Sequence, residues 1–315
     1  MGEAQKQSQI SKIMKNKNFF IGAFALAIAH IVWGIGTPLM KVALTQIPIF
    51  VLAFARFGVA ALIIFLISKK GWEKMEKSEI VRMMISGFFG VFVLISLFFW
   101  GLTLGESINA SLIAASVPIF VYLMAVVFLH EKPNQKIFHG LIIGSIGVVI
   151  IVISPLLLGT SKLSGSLGAN LLFFLAMMGM AIDTIIAKPV ATKYPPLQVT
   201  FWSFFSASCG FLILATLLGQ WQQFDIFALR GEVVFSYFWG LLGMSLLSYT
   251  LFYLGVGKLK ASESGLFNYF NPLAATLVGV NLLGEKLTIY HLIGSVLVVI
   301  GIYIAEKNKL PKLKN

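Results

Sequence analysis

The chain has 315 residues, of which 58% are hydrophobic types and only 11% are charged, with a mean hydropathy of +0.91. Soluble domains carry roughly a quarter charged residues, so a soluble enzyme is excluded, as are a coiled coil, a collagen and a disordered chain. The net charge of +12 is then read as membrane topology, not as nucleic-acid affinity, because cationic residues collect in cytoplasmic links.

A membrane helix needs about 20 mostly apolar residues. Ten such segments are predicted: 19–40, 48–68, 82–101, 107–129, 138–156, 168–188, 197–218, 233–256, 262–283 and 288–305. Porin-like strands are excluded, since these runs are continuously apolar and about twice the length of a barrel strand. The N-terminus, the even-numbered links and the C-terminus hold 19 Lys and Arg, against 4 in the odd-numbered links. That bias predicts both termini in the cytoplasm and insertion in the cell membrane. Cys209, the one cysteine, sits in an apolar run and has no intrachain disulfide partner.

In segment 1, His30, Trp33, Gly34, Thr37 and Lys41 recur at helical spacing and share one face. A polar stripe is costly against lipid, so this face is expected to point into the bundle. His30 is either a titratable proton carrier or a neutral partner of a neighbouring helix. Trp33 either stacks on a solute or packs. Pro38 is expected to free a carbonyl and loosen the helix end as a gate. Arg56 in segment 2 cannot be neutralised and needs an anion or carbonyls; it reads as a structural anchor or a ligand contact.

Trp100 in segment 3 and Tyr249 in segment 8 are candidates for an aromatic cavity wall. Asp183 is the acid deepest inside a span, a candidate proton carrier or partner of a substrate ammonium. Lys188, at the end of segment 6, and Lys41 are candidates either for drawing an anion to an entrance or for snorkelling to the interface. In segment 9, Ser264, Asn268 and Asn271 are spaced to share a face, with Asn268 and Asn271 as candidate substrate contacts.

The chain also repeats itself. At a shift of 154, Gly101 falls on Gly255, Pro118 on Pro272, Glu131-Lys132 on Glu285-Lys286, Gly140 on Gly294 and Gly147 on Gly301. At a shift of 147, Thr37, Lys41 and Thr45 fall on Thr184, Lys188 and Thr192. Seven residues are therefore gained between the two blocks. Each half holds five spans, and an odd number forces the second half to enter from the opposite side. The predicted organisation is a tail over 1–18, a first five-helix repeat over 19–156, a linker over 157–167, a second, inverted repeat over 168–305 and a tail over 306–315. Inverted repeats are common in secondary transporters, whose substrate site lies between the halves.

Trp33-Gly34, Lys41, Pro48 followed by Arg56, and the small-residue run to Pro118 ending in Glu131-Lys132 resemble the EamA family of the drug/metabolite transporter superfamily. Pro272 and Glu285-Lys286 repeat part of that pattern, whereas segment 6 has Ala181-Ile182 and no Trp. The resemblance covers about residues 20–305. It implies a ten-helix fold of two inverted five-helix repeats, a cavity among segments 1, 3, 4, 6, 8 and 9, and alternating-access transport of small metabolites. Amino-acid-like or aromatic, amphipathic solutes moving outward are the first expectation. A sugar-phosphate or nucleotide-sugar exchanger using Lys41, Lys188 and Arg56, and a non-transport partner subunit, are the alternatives.

No P-loop, HExxH, GxSxG or Cys/His metal spacing occurs, so neither enzyme chemistry nor a cofactor or metal is expected. The expected partners are a small-molecule metabolite, the lipid bilayer and, as a candidate co-substrate, protons; no nucleic acid is expected.

Overall fold

A computed structural model describes residues 3–114, 116–152, 163–284 and 288–306. Ten helical segments follow in order: α1 (Glu3–Ala43), α2 (Ile49–Ser68), α3 (Lys77–Leu104), α4 in two pieces (α4a, Ser107–Ala114, and α4b, Val117–Phe128), α5 (Gln135–Val152), α6 (Leu163–Ala191), α7 (Pro196–Leu217), α8 (Gly231–Lys258), α9 (Ala261–Leu283) and α10 (Ile289–Glu306). Seven of them are long and apolar enough to cross a membrane. Each predicted segment is a helix, and no strand occurs among the described residues.

Two expectations need adjusting. The predicted tail 1–18 is largely helical, since α1 starts at Glu3. Helix α1 runs past Pro38 and past the predicted edge at 40, through Ala43. A proline near a helix end removes one bond, and the neighbouring helices packed on α1 hold the rest in place. Most of the predicted linker 157–167, together with Glu285-Lys286, lies outside the described residues.

The halves are inverted. Equivalent helices α5 and α10 cross antiparallel: a Cβ on Gly147 would lie 2.5 Å from the Gly294 carbonyl oxygen, and one on Gly301 would lie 2.4 Å from that of Gly140. Those four positions are the two pairs related by the shift of 154, so the contact is two-fold symmetric. The same rule holds elsewhere. α1 packs on α8 and α9, and its equivalent α6 packs on α3 and α4; α2 pairs with its own equivalent α7. The seven extra residues are also accounted for. Helix α7 has 22 residues against 20 in α2, and the link after it covers 218–230 against 69–76.

Regular helix fails at equivalent places in the two halves. A π-helical stretch interrupts α3 at Phe88–Val93 and α8 at Trp239–Tyr249. In α4 a turn at Ser116, with tight i–3 bonds from Ser116 to Ile113 and from Ile119 to Ser116, precedes α4b, and α9 tightens to a 3-10 turn over Gly265–Tyr269. Such interruptions mark functional stretches, and in membranes they are tolerated only against protein or a cavity.

Side-chain hydrogen bonds join helix ends and links at both ends of the bundle. At one, the Lys188 ammonium donates to the Val256 carbonyl at 2.6 Å and to that of Leu259, while Glu131 accepts from the Ala261 amide at 2.8 Å and from Ser262. Glu131 thereby caps the start of α9 from the α4–α5 link. At the other end, Gln46 bonds the backbone of Ala228 and Arg230, and the Gln220 side chain accepts from the Phe50 amide at 2.8 Å. Replacing Glu131 by Ala is expected to destabilise the protein by about 1 kcal/mol through loss of that cap, read as a lower unfolding temperature in detergent.

Candidate functional site

The polar stripe of α1 faces the interior. His30, Trp33 and Thr37 are all buried, and Lys41 is half-buried at the helix end. Gly34 lets α9 approach closely, since a Cβ there would sit 2.5 Å from the Asn271 carbonyl oxygen. The Trp33 indole N–H donates to the Met244 carbonyl at 2.9 Å, inside the π-helical stretch of α8. A carbonyl oxygen has two lone pairs, so it can take the indole in addition to a helical bond.

A cavity of about 60 Å³ lies between the halves. Trp33 and Thr37 of α1, Tyr249 and Phe252 of α8 and Asn271 of α9 form one side. Leu94 and Phe98 of α3, Ser111 of α4a, and Met177, Met180 and Asp183 of α6 form the other. Arg56 of α2 completes it. The wall is mostly apolar and includes four aromatic rings and three methionines, whose thioethers adapt to varied solutes. Set into it are polar atoms with no hydrogen-bond partner among the described residues: Arg56 Nε, Ser111 Oγ and Asn271 Oδ1. Buried polar groups normally find partners, so three unpartnered ones on a single cavity make it the candidate site.

Two buried charges face this space. Arg56 is 1% exposed. Its guanidinium donates to Ser245 Oγ at 3.2 Å and reaches Met40 Sδ at 3.3 Å, lying over the rings of Phe57 and Phe99 at 4.9 and 5.6 Å. None of these contacts is an anion. Asp183 is also 1% exposed and accepts from Ser86 Oγ and from the Tyr253 hydroxyl at 3.1 Å, whose oxygen lies 3.0 Å from Ser203 Oγ. Gly90 makes room for it, because a Cβ there would lie 2.2 Å from the Asp183 Cβ. No cation bonds it among the described residues.

These two environments are mates under the repeat. The shift of 147 carries Arg56 onto Ser203 and Gly36 onto Asp183, and the shift of 154 carries Ser86 onto Gly240 and Phe99 onto Tyr253. Gly240 in fact packs against the Arg56 side chain, with a Cβ there meeting its Cδ at 3.0 Å. One fold position thus holds a cation in the first half and a network around an anion in the second.

The remaining predicted residues fall elsewhere. Trp100 is 56% exposed on the outside of α3 and does not join the wall. Asn268 is buried but donates to the Gly265 carbonyl at 3.1 Å and does not line the cavity. The 3-10 turn advances about 120° per residue, not 100°, so the face expected to join Ser264, Asn268 and Asn271 is lost. Lys188 is taken up by helix-end carbonyls away from the cavity, and Lys41 does not line it. His30 sits a turn below Trp33, edge-on to it at 5.1 Å and to Phe252 at 6.3 Å, with no hydrogen-bond partner on either ring nitrogen among the described residues. The sequence reading missed Ser86, Ser203 and Tyr253. Laying the two halves over each other at Arg56 would have found Ser203, its mate.

Inverted five-helix repeats, helices interrupted at matching depths and a cavity between them are the layout of a membrane transporter. The EamA-like transporter family matches residues 20–153 and 167–306, and the chain belongs to that family. It is 26% identical over 302 residues to the uncharacterized transporter YetK of Bacillus subtilis, covering 92% of this chain and 89% of that one. An uncharacterized transporter of Archaeoglobus fulgidus is 28% identical over 302 residues, with 90% and 98% covered. A solved crystal structure of 16% identity superimposes with a TM-score of 0.69 over 93% of this chain and 98% of that one, a likeness of fold. The protein is a multi-pass membrane transporter.

Proposed function

We propose that the chain moves amino-acid-like or aromatic, amphipathic solutes outward across the cell membrane by alternating access, with both termini in the cytoplasm. One observation carries this reading: Arg56 and Asp183 present opposite charges to one cavity, Arg56 from the place whose two-fold mate, Ser203, belongs to the network around Asp183, and neither has an ionic partner among the described residues. A zwitterion brings a carboxylate for the guanidinium and an ammonium for the carboxylate, and the methionine and aromatic wall accepts its side chain. A multiply anionic solute fits poorly, because Asp183 repels it and Lys188 is engaged elsewhere.

The cavity of about 60 Å³ is far below the roughly 300–1,000 Å³ of small-molecule pockets. With both ends tied, this conformation is a contracted, closed one, and loading requires the halves to rock apart. The π-helical stretches of α3 and α8 are where the wall helices have slack for it. His30 and Asp183 are the candidate sites for coupling to protons.

The test is flux of a solute panel into liposomes holding the purified protein. Neutral aromatic or aliphatic amino acids are expected to move at least tenfold faster than their decarboxylated or deaminated analogues. Equal rates for all three classes, or faster movement of sugar phosphates, would refute the reading.

A further inference from the structure

The correspondence between the halves fails at one place on the outer surface. On the side of α6 turned away from Asp183, residues Ile182, Ile186 and Pro189 floor a cleft of about 580 Å³. Val81, Arg82 and Ile85 of α3 form one wall, and Met124 and Phe128 of α4b form the other. The shift of 154 carries Val81 onto Phe235, Arg82 onto Ser236 and Ile85 onto Trp239. In the second half, then, two aromatic rings stand where the first half has aliphatic side chains. Phe235 and Trp239 pack on each other with centroids 6.4 Å apart, and the Trp239 indole donates to the Val32 carbonyl at 3.4 Å. Ser236 is buried and bonds back to the Glu232 carbonyl at 2.8 Å. Only the first half pairs aliphatic walls with a cation.

The charges around the two places differ as well. Arg82 is exposed and makes no ion pair among the described residues. The nearest acids on its helix are engaged: Glu79 by the Lys193 ammonium at 2.8 Å and by the Tyr194 hydroxyl, and Glu76 by Ser78 Oγ at 3.3 Å. Lys69, Lys70, Lys74 and Lys77 lie just before it in the chain. At the equivalent mouth, Arg230 is neutralised by Glu232 at 3.1 Å and Asp225 adds a negative charge.

We propose that this cleft binds one anionic phospholipid, its acyl chain along Ile182 and Ile186 between α3 and α4b and its phosphate on Arg82. The cleft is apolar over its depth, as an acyl chain requires, and its cation sits at the mouth near the start of α3, where a headgroup lies. Basic residues at the ends of membrane clefts recognise such headgroups. The occupant wedges two helices whose other faces line the central cavity, which makes it a structural lipid of the moving wall. The inference does not depend on which solute is carried.

The test is native mass spectrometry of the full chain released from nanodiscs of mixed phosphatidylglycerol and phosphatidylcholine. Wild type is expected to keep one phosphatidylglycerol per chain in preference to phosphatidylcholine. Arg82→Ser, which copies the second half, is expected to cut that preference about fivefold, the equivalent of about 1 kcal/mol for one surface cation. Ile85→Trp, copying Trp239, is expected to cut retention of both lipids; Val81→Phe replaces it should that variant fail to accumulate. The proposal is overturned if Arg82→Ser keeps the wild-type preference, if the groove-filling variants retain as much lipid as wild type, or if they slow solute flux with lipid retention intact, which would make the cleft a solute route.

Discussion

Replacing Arg56 with Ala is expected to reduce zwitterion transport by about 30-fold or more while leaving the unfolding temperature unchanged or higher. The two halves of this expectation have separate causes. A guanidinium held at 1% exposure has lost its water, and its contacts with Ser245, Met40 and two rings do not amount to an ion pair. Removing such a charge relieves the folded state of a desolvation cost. Transport suffers because a substrate carboxylate loses its charged donor, an interaction of about 2 kcal/mol. Arg56→Lys is expected to fail nearly as badly, since an ammonium lacks the planar fork that grips a carboxylate at two points. The measurements are flux in liposomes and thermal unfolding of the same preparations. If Arg56→Ala lowers the unfolding temperature steeply and flux falls only with the amount of folded protein, Arg56 is an anchor and not a solute contact.

How much of this was legible beforehand follows from the kind of signal each feature leaves. The ten helices were, because an apolar run long enough to cross a bilayer has few alternatives in water or in lipid. The inversion was, because five crossings per half leave no other entry side, and the glycines that mark the repeat are the ones through which α5 and α10 touch. The interrupted helices were not. A π-helical stretch at Phe88–Val93 or a 3-10 turn at Gly265–Tyr269 depends on what packs alongside and leaves no pattern in the residues themselves. That is why Asn268 and Asn271, assigned one face by helical spacing, point to different places. Trp100 was placed by residue type alone; at 100° per residue it lies some 200° from Phe98, which does line the cavity. Asp183 was found as the deepest acid, but its partners Ser86, Tyr253 and Ser203 come from three other helices. Only the fold brings those together.

Asp183→Asn is expected to be the more informative of the two cavity substitutions. In the native network the carboxylate only accepts: Ser86 and Tyr253 both aim hydroxyls at it. An amide puts an N–H₂ where one oxygen was, so one hydroxyl faces a donor and must turn away. Leaving such a group unpaired in the interior costs about 1–3 kcal/mol. Part of the fall in flux is therefore local misfit, and a single variant cannot separate it from a lost substrate ammonium or a lost proton site. Three readings do so together. If Asp183 holds the ammonium, the variant loses about tenfold or more on amino acids but little on their deaminated analogues. If it carries a proton, an imposed pH gradient drives accumulation of amino acids in wild type and not in the variant. If it only braces α3, α6 and α8, Tyr253→Phe reproduces the loss without altering selectivity or gradient dependence. The first two outcomes are expected to occur together, because a carboxylate exposed alternately to either side binds a proton or an ammonium but not both, and that exclusion is what exchanges one for the other. Flux insensitive to the substitution in all three respects would remove Asp183 from the mechanism.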